Sequence, residues 1–266
     1  MDDPYFIIEP AREHVPFVLS IPHNGVGFPD GIKDQFVPEL AAAPDDTDWF
    51  MDRLYDFAPS LGVTTICPIY SRWVIDLNRE PQSKPLYDDG RIITALCPTT
   101  NFDGEPIYKD ERQLVGDDEV LRRLDSYFWP YHNKIDEICK HMLDSFGIVI
   151  FWDGHSIRRN VPTIQDRPFP DFILGDNDGK TADESLIEIA LQALNSSGYD
   201  VAHNRPFKGG FLTRSKGRPD AGVHALQLEM SKDLYMSGGE KVYSDQKAAP
   251  IKEHLKHVFK ALIGRL

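Results

Sequence analysis

The sequence predicts an α/β fold in which helices pack on a mostly parallel sheet. Short apolar runs typical of buried strands lie at residues 17–21, 63–69, 147–152, 199–203 and 223–230. Segments whose apolar residues recur at helical spacing lie at 46–60, 118–145, 183–197 and 245–263. Because the two patterns alternate along the chain, we expect the helices to cover a sheet of mostly parallel strands.

The first two helical segments carry local signals. Asp45, Asp46 and Thr47 are residue types that cap the start of a helix, and Gly62 follows the first segment as a typical end. Pro130 lies inside the second segment and predicts a kink there, because proline cannot donate the helical hydrogen bond.

Length and composition indicate one globular domain. The chain has 266 residues, of which 41% are hydrophobic and 27% charged, and no low-complexity stretch divides it. We therefore predict a single domain over residues 1–266. Residues 78–117 and 156–182 are rich in Pro, Gly and Asp, which predicts functional loops.

Charge and residue usage exclude several partners. A net charge of −13 opposes binding to nucleic acid, so an anionic ligand needs a local basic pocket. The sequence has neither a signal-like start nor an apolar run of membrane-spanning length, from which we expect a cytoplasmic protein with no membrane partner.

Cys67, Cys97 and Cys139 show no CxxC spacing and are predicted to be buried free thiols.

Two of the strand-like runs stop close to a histidine. His23 follows the run at 17–21, and His155 follows the run at 147–152. Ligands of open α/β sheets bind outside the carboxyl ends of the strands, so these side chains are expected to meet in one crevice. Together they predict a site for one zinc ion, with other divalent metals as alternatives. The structural alternative is a turn residue at His23 and a hydrogen-bonded core histidine at His155.

A catalytic zinc site also needs a carboxylate ligand and an open position for water. Asp48 is our choice, because it lies in the first turn of the helix predicted after His23. Asp153 lies two residues before His155 and is expected to orient that imidazole. Other carboxylates that could replace Asp48 are Asp45, Asp46 and Asp52.

Glu229 ends the strand-like run at 223–230 and is the candidate general base. A carboxylate at that strand end would face the same crevice and could take a proton from an attacking water. The alternative is an edge-strand glutamate that faces solvent.

Basic residues and glycines lie beside the same strand ends. Arginine binds carboxylates in a bidentate way and glycine permits close backbone approach, so the set suits a small substrate with more than one carboxylate. Ion pairing with the many Asp and Glu residues is the alternative. The candidates are Arg72, Arg79, Arg158, Lys208, Gly209, Gly210 and Arg214.

Seven short motifs are spread over nearly the whole chain. They lie at 20–25 (SIPHNG), 46–49 (DTDW), 71–79 (SRWVIDLNR), 96–106 (LCPTTNFDGEP), 153–158 (DGHSIR), 207–211 (FKGGF) and 222–229 (GVHALQLE). In these motifs the chain resembles the N-formylglutamate amidohydrolases, deformylases that act at the end of one route of histidine degradation. The resemblance implies a three-layer α/β/α sandwich with a mixed sheet, like the phosphorylase/hydrolase-like fold of zinc exopeptidases.

The same resemblance implies roles for individual residues. Glu229 matches the position of the general base, and Asn78 with Arg79 matches a pair that holds a substrate carboxylate in related exopeptidases. The implied zinc ligands are His23, Asp48 and His155.

The implied reaction is hydrolysis of N-formyl-L-glutamate to formate and L-glutamate. Zinc would lower the pKa of water and polarise the formyl oxygen, while Glu229 moves protons and Arg72 stabilises the developing charge. One alternative is a zinc amidohydrolase for another N-acyl acidic amino acid or a γ-glutamyl peptide. The other is a non-catalytic binding protein for acidic amino acids.

Overall fold

The computed structural model describes residues 3–82, 95–110 and 115–266. Within these ranges, seven strands form one sheet and two more form a small hairpin. The strands are β1 (Tyr5–Ile8), β2 (Phe17–Ser20), β3 (Thr64–Pro68), β4 (Val149–Ile157), β5 (Phe172–Gly175), β6 (Val201–His203), β7 (Val223–Ser231), β8 (Met236–Ser237) and β9 (Val242–Tyr243). The α-helices are α1 (Pro38–Ala41), α2 (Met51–Leu54), α3 (Asp117–Arg123), α4 (Trp129–Phe146), α5 (Glu184–Asn195), α6 (Phe211–Lys216) and α7 (Asp245–Ile263).

The large sheet is mixed, with the order β1-β3-β2-β4-β7-β5-β6. Strands β3, β2, β4 and β7 run parallel in its centre, whereas β1 is antiparallel to β3 and β5 is antiparallel to β7. The prediction of an α/β fold with a mostly parallel sheet is therefore confirmed. The carboxyl ends of the four central strands lie at one edge, where ligands of such sheets bind.

The two faces of the sheet contribute to different core clusters. Successive strand residues point to opposite faces. Phe17 and Leu19 pack with Leu186 of α5 and Phe259 of α7, and all four are buried in one cluster. Val18, between them, belongs to a second cluster with the inner face of α4. Residues from opposite faces therefore belong to different clusters, and each cluster includes helix residues.

Strands β4 and β7 pair over nine residues, from Val149 opposite Val223 to Ile157 opposite Ser231. The strand predicted at 147–152 was too short at its carboxyl end. Polar residues continue the ladder, and His155 lies inside the strand opposite Glu229. The pairing therefore places the two side chains next to each other.

The helix predicted over residues 46–60 is wrong. Regular helix is limited to α2 and a 3₁₀ turn at Ala58–Leu61, and Phe50 before α2 has a left-handed backbone with φ of 62°. The N–H of Asp48 donates to the carbonyl of His23 at 2.9 Å and not within a helix. Asp48 therefore lies on an irregular segment that the backbone ties to the His23 loop.

The helix predicted over 118–145 is present, and other findings concern Pro130 and the predicted loops. Helix α3, a π turn at Leu124–Phe128 and α4 follow one another without a break, and Pro130 lies inside this helical stretch two residues after the π turn. The predicted loop at 156–182 contains β5, which pairs with β7 and β6. The predicted loop at 78–117 lies partly outside the described residues, at 83–94 and 111–114.

The three cysteines are buried and free, as predicted. Among the described residues, no helix combines the length and apolar character needed to cross a membrane.

Candidate metal centre

Three buried side chains converge at the carboxyl ends of the central strands. His23 follows β2, His155 lies in β4, and Asp48 comes from the segment tied to the His23 loop. One potential ligand atom from each lies within 4.8 Å of the others. Asp48 Oδ2 is 3.1 Å from His155 Nδ1 and 3.7 Å from His23 Nδ1. Two imidazoles and a carboxylate around one point fit a divalent metal such as zinc.

Each histidine contacts a second carboxylate through Nε2, the ring nitrogen that does not face Asp48. His23 Nε2 lies 2.7 Å from Asp76 Oδ1, and His155 Nε2 lies 3.0 Å from Asp153 Oδ1. A carboxylate accepts hydrogen bonds, so the proton is placed on Nε2 and Nδ1 is the ring nitrogen that faces Asp48. Metal-binding histidines commonly have such carboxylate partners, which fix ring orientation and raise ligand basicity. The contact predicted between Asp153 and His155 is present.

Asp76 is a site residue that the sequence analysis missed. Besides His23, it accepts a hydrogen bond from Arg72 Nη2 at 2.7 Å, and both partners are buried. Burial raises the pKa of Asp76, but the charge of Arg72 and the hydrogen bond with His23 outweigh it and hold that pKa well below its usual range. Its position four residues after Arg72, inside the motif at 71–79, was the available signal.

Arg72 also determines which ring nitrogen of His23 carries the proton, and it lowers the pKa of that histidine. Arg72 Nη1 lies 3.3 Å from His23 Nδ1. Because a guanidinium only donates, Nδ1 must be the accepting nitrogen, in agreement with the proton on Nε2. Burial and the charge of Arg72 lower the pKa of His23, which favours the neutral imidazole that binds metals.

His155 has the opposite electrostatic environment. Burial lowers its pKa, but Asp153 and then Asp48 outweigh that effect and raise it well above 6.5. Burial likewise raises the pKa of Asp48, whereas the hydrogen bond with His155 outweighs burial and lowers it overall. The 3.1 Å contact between His155 Nδ1 and Asp48 Oδ2 is suited to a shared proton, and a metal cation can replace such a proton.

The three alternatives to Asp48 lie elsewhere. Asp46 Oδ1 accepts a 2.7 Å hydrogen bond from the Trp73 indole, Asp45 lies 3.3 Å from an Arg158 nitrogen, and Asp52 is exposed. Of the four candidate carboxylates, Asp48 is the one grouped with the two histidines.

Asn78 is part of the support for the site. Its Nδ2 donates to Asp153 Oδ2 at 3.2 Å and lies 2.8 Å from His155 Nε2. Its Oδ1 accepts from the Leu212 N–H at 2.7 Å, and Thr213 Oγ1 also donates to Asp153 Oδ2, at 2.9 Å. The start of α6 therefore helps to hold the carboxylate behind His155.

Glu229 faces the same space as the three candidate ligands. In the part of the chain that the structure describes, its carboxylate accepts no hydrogen bond. Burial, together with the charge of Asp48 and against that of His155, raises the pKa of Glu229 to about 8. The carboxyl group of Glu229 therefore has a raised proton affinity and lies beside the candidate metal site.

A pocket of about 170 Å³ opens on these groups. Its lining contains the three candidate ligands and Glu229 together with further polar and apolar residues. The remaining polar lining residues include Arg72, Asp76, Asn78, Arg79, Asn101, Gly210 and Gln227. The apolar lining residues include Phe102, Ile157, Ile164 and Phe207.

The candidate substrate-binding residues fall into two groups. Arg72, Asn78, Arg79 and Gly210 line the pocket. Arg158, Lys208, Gly209 and Arg214 are absent from the described lining, and we call the three cations among them the outer basic residues. They contact other groups: Arg158 pairs with Asp103 at 2.7 Å, Lys208 pairs with Asp178 at 2.7 Å, and Arg214 Nε donates to the Gly209 carbonyl at 2.8 Å.

Comparisons with known proteins agree with this geometry. The family model described as N-formylglutamate amidohydrolase matches residues 15–236. The chain is 38% identical to an N-formylglutamate deformylase of Pseudomonas putida, covering 94% of this chain and 93% of that protein. It is 41% identical to one of Pseudomonas aeruginosa, covering 85% and 84%.

Two solved structures resemble this chain over nearly its whole length. An N-formylglutamate amidohydrolase from Ralstonia eutropha JMP134 superimposes with a TM-score of 0.82 at 29% identity, covering 98% of this chain and 96% of that one. A gene product of Agrobacterium tumefaciens shares the fold, with a TM-score of 0.75 at 17% identity and coverage of 98% and 95%. The chain belongs to the N-formylglutamate amidohydrolase family.

Proposed function

We propose that this protein is a zinc-dependent amidohydrolase that converts N-formyl-L-glutamate to formate and L-glutamate in histidine degradation. The observation that carries the proposal is the buried group of His23, Asp48 and His155 with the free carboxylate of Glu229 beside it. The names of the relatives from the two Pseudomonas species support the substrate.

One zinc ion would be held by His23, Asp48 and His155, and other divalent metals remain alternatives. When bound in such a site, zinc lowers the pKa of water and polarises the carbonyl under attack. The carboxylates of Asp76 and Asp153 keep the two imidazoles oriented for it.

Glu229 is the proposed general base. Its carboxyl group lies in the pocket next to His155, and the raised pKa makes its ionised form a stronger proton acceptor than an ordinary glutamate. A divalent cation at the three ligands would favour that ionised form. It would take a proton from the attacking water and deliver it to the amide nitrogen as the C–N bond breaks. The water oxygen ends in formate, and the nitrogen leaves as the amine of glutamate.

Arg72 and Arg79 are the proposed electrostatic partners of the substrate. Arg72 lies beside the candidate ligands and would stabilise negative charge that develops on the formyl oxygen. Arg79, with Asn78 and Gly210 on the same pocket surface, would bind a substrate carboxylate. For Arg158, Lys208, Gly209 and Arg214 a substrate-binding role stays a prediction.

The finer architecture belongs to the same proposal. Two core clusters on opposite faces of the sheet support a three-layer α/β/α sandwich of the zinc exopeptidase type, formed by residues 1–266 as one domain. A cytoplasmic location stays a prediction.

Formate release by the purified protein tests the function. N-formyl-L-glutamate, N-acetyl-L-glutamate and a γ-glutamyl dipeptide are compared, each with metal-stripped and zinc-restored protein. Zinc-dependent release from the formyl compound, with far slower hydrolysis of the other two, is the expected result. Preferred hydrolysis of either other compound would favour the alternative amidohydrolase. L-glutamate binding without turnover of any of them would favour the non-catalytic binding protein.

A further inference from the structure

Gln227 is a pocket residue for which the proposed reaction has no role yet. It lies in β7 two residues before Glu229, so both side chains point to the same face of the sheet. The side chain is buried and belongs to the pocket lining. The sequence analysis did not select it, because glutamine in an apolar strand resembles an ordinary core polar residue.

The orientation of the Gln227 amide is determined by the backbone of Gly210. The Gly210 N–H donates to Gln227 Oε1 at 2.7 Å. Since a backbone N–H only donates, the accepting atom must be the amide oxygen, and the NH₂ group occupies the other position. In the described part of the chain, Nε2 of Gln227 donates no hydrogen bond.

Since no described group accepts from this donor and Gln227 lines the pocket, its partner is expected to come from a molecule in the pocket. The surrounding surface suits an anionic group. Asn78 lies against Gly210, where an added Cβ would come within 2.4 Å of the Asn78 amide, and Arg79 follows Asn78 in the chain. Gln227 and Arg79 both line the pocket, and a neutral donor together with a guanidinium is a typical carboxylate-binding combination.

We infer that Gln227 is a substrate-binding residue whose Nε2 donates a hydrogen bond to a carboxylate of the acidic substrate. The inference rests on the proposed function, which supplies that substrate. Gly210 acts through Gln227 as a positioning residue, because its N–H keeps the amide oxygen turned away from the ligand.

Two substitutions separate the donor from the rest of the side chain. Gln227→Glu keeps an oxygen for the Gly210 N–H, but it replaces the donor by a negative charge. Gln227→Met has similar length with neither donor nor charge. Gln246→Glu, at an exposed position in the first turn of α7, is the matched charge control.

Steady-state kinetics on N-formyl-L-glutamate with zinc-loaded proteins is the test, and calorimetric binding of L-glutamate is the second measurement. We expect KM to rise about tenfold or more in Gln227→Met, from loss of a hydrogen bond to a charged group. A larger rise is expected in Gln227→Glu, with kcat close to wild type in both variants. Affinity for L-glutamate should fall in parallel, and Gln246→Glu should match wild type.

Unchanged KM and L-glutamate affinity in both variants, with wild-type turnover intact, would overturn the inference alone. A fall in kcat without a change in KM would overturn it as well, because it would indicate only a disturbed Glu229. No turnover by the zinc-loaded wild type would overturn the proposed function and this inference together. If Gln227→Glu does not fold, the KM and L-glutamate affinity of Gln227→Met alone test the inference.

Discussion

The pocket interior and the outer basic residues contain similar charges in very different settings. In the interior, Arg72 is 7% exposed and contacts Asp76 and His23. Outside, the side chain of Lys208 is 41% exposed and pairs with Asp178, which is itself 49% exposed. Buried charge pairs hold their partners in fixed geometry, whereas exposed pairs are screened and contribute little. Location relative to the pocket, more than charge, should therefore decide which residues matter for activity.

The largest effect is expected inside the pocket, at the proposed base. Glu229→Gln keeps the shape of the side chain but removes the proton acceptor. We expect kcat to fall about 10²- to 10⁴-fold with little change in KM, as is usual for loss of a general base. Formate release under saturating N-formyl-L-glutamate measures it, and an unchanged kcat would remove Glu229 from the mechanism.

The second-largest effect is expected at Asp76, whose carboxylate contacts His23 Nε2. Asp76→Asn weakens the hydrogen bond to His23 and leaves the buried Arg72 without its main counter-charge. We expect zinc affinity to fall about 10- to 100-fold, the usual cost of losing such a supporting partner. Competition with a chromogenic chelator measures the affinity, and Asp178→Asn, which alters an exposed pair outside the pocket, is the control. Equal affinities in both variants would contradict the assignment.

Arg79 should show a smaller and different effect. Arg79→Met removes the pocket cation that we propose for a substrate carboxylate. We expect KM to rise about tenfold or more from the loss of a charged hydrogen bond, with kcat changed much less. A large fall in kcat with normal KM would instead place Arg79 in transition-state stabilisation.

The smallest effect is expected among the outer basic residues. Lys208→Met removes a cation from an exposed pair, so KM, kcat and melting temperature should stay close to wild type. The comparison with Arg79→Met makes the experiment informative, because both variants lose one positive charge. A rise in KM as large as that of Arg79→Met would support the substrate-binding role that the sequence predicts for Lys208.

Much of the fold was predictable because apolar periodicity reports burial directly. Strands β2, β3 and β7 lie within about two residues of their predicted bounds. The failures have local causes. The four-residue strand β5 was too short to stand out in a loop rich in Pro, Gly and Asp. The helix predicted over 46–60 failed because tertiary contacts of the Asp48 segment override its helical spacing.

The candidate site, like the fold, contains residues that the sequence indicates and residues that it does not. His23, His155 and Glu229 were predictable, since polar residues at the ends of buried strands stand out in the sequence. Asp76 and Gln227 were not, because their importance depends on partners that are distant in the chain. Asp76 lies 53 residues from His23, and Gln227 lies 17 residues from Gly210. The four-residue spacing from Arg72 to Asp76 indicates that local pair, but it does not reveal the contact of Asp76 with His23.

The central claim is that His23, Asp48 and His155 form the metal site, and zinc binding tests it most directly. Metal-stripped wild type, Asp48→Asn and Asp46→Asn are titrated with zinc while bound metal and formate release are both recorded. We predict one zinc ion per chain in wild type, activity proportional to bound zinc, near-normal binding in Asp46→Asn, and strongly weakened binding in Asp48→Asn. Full activity in the stripped protein, or zinc binding that Asp46→Asn abolishes and Asp48→Asn leaves intact, would contradict the account.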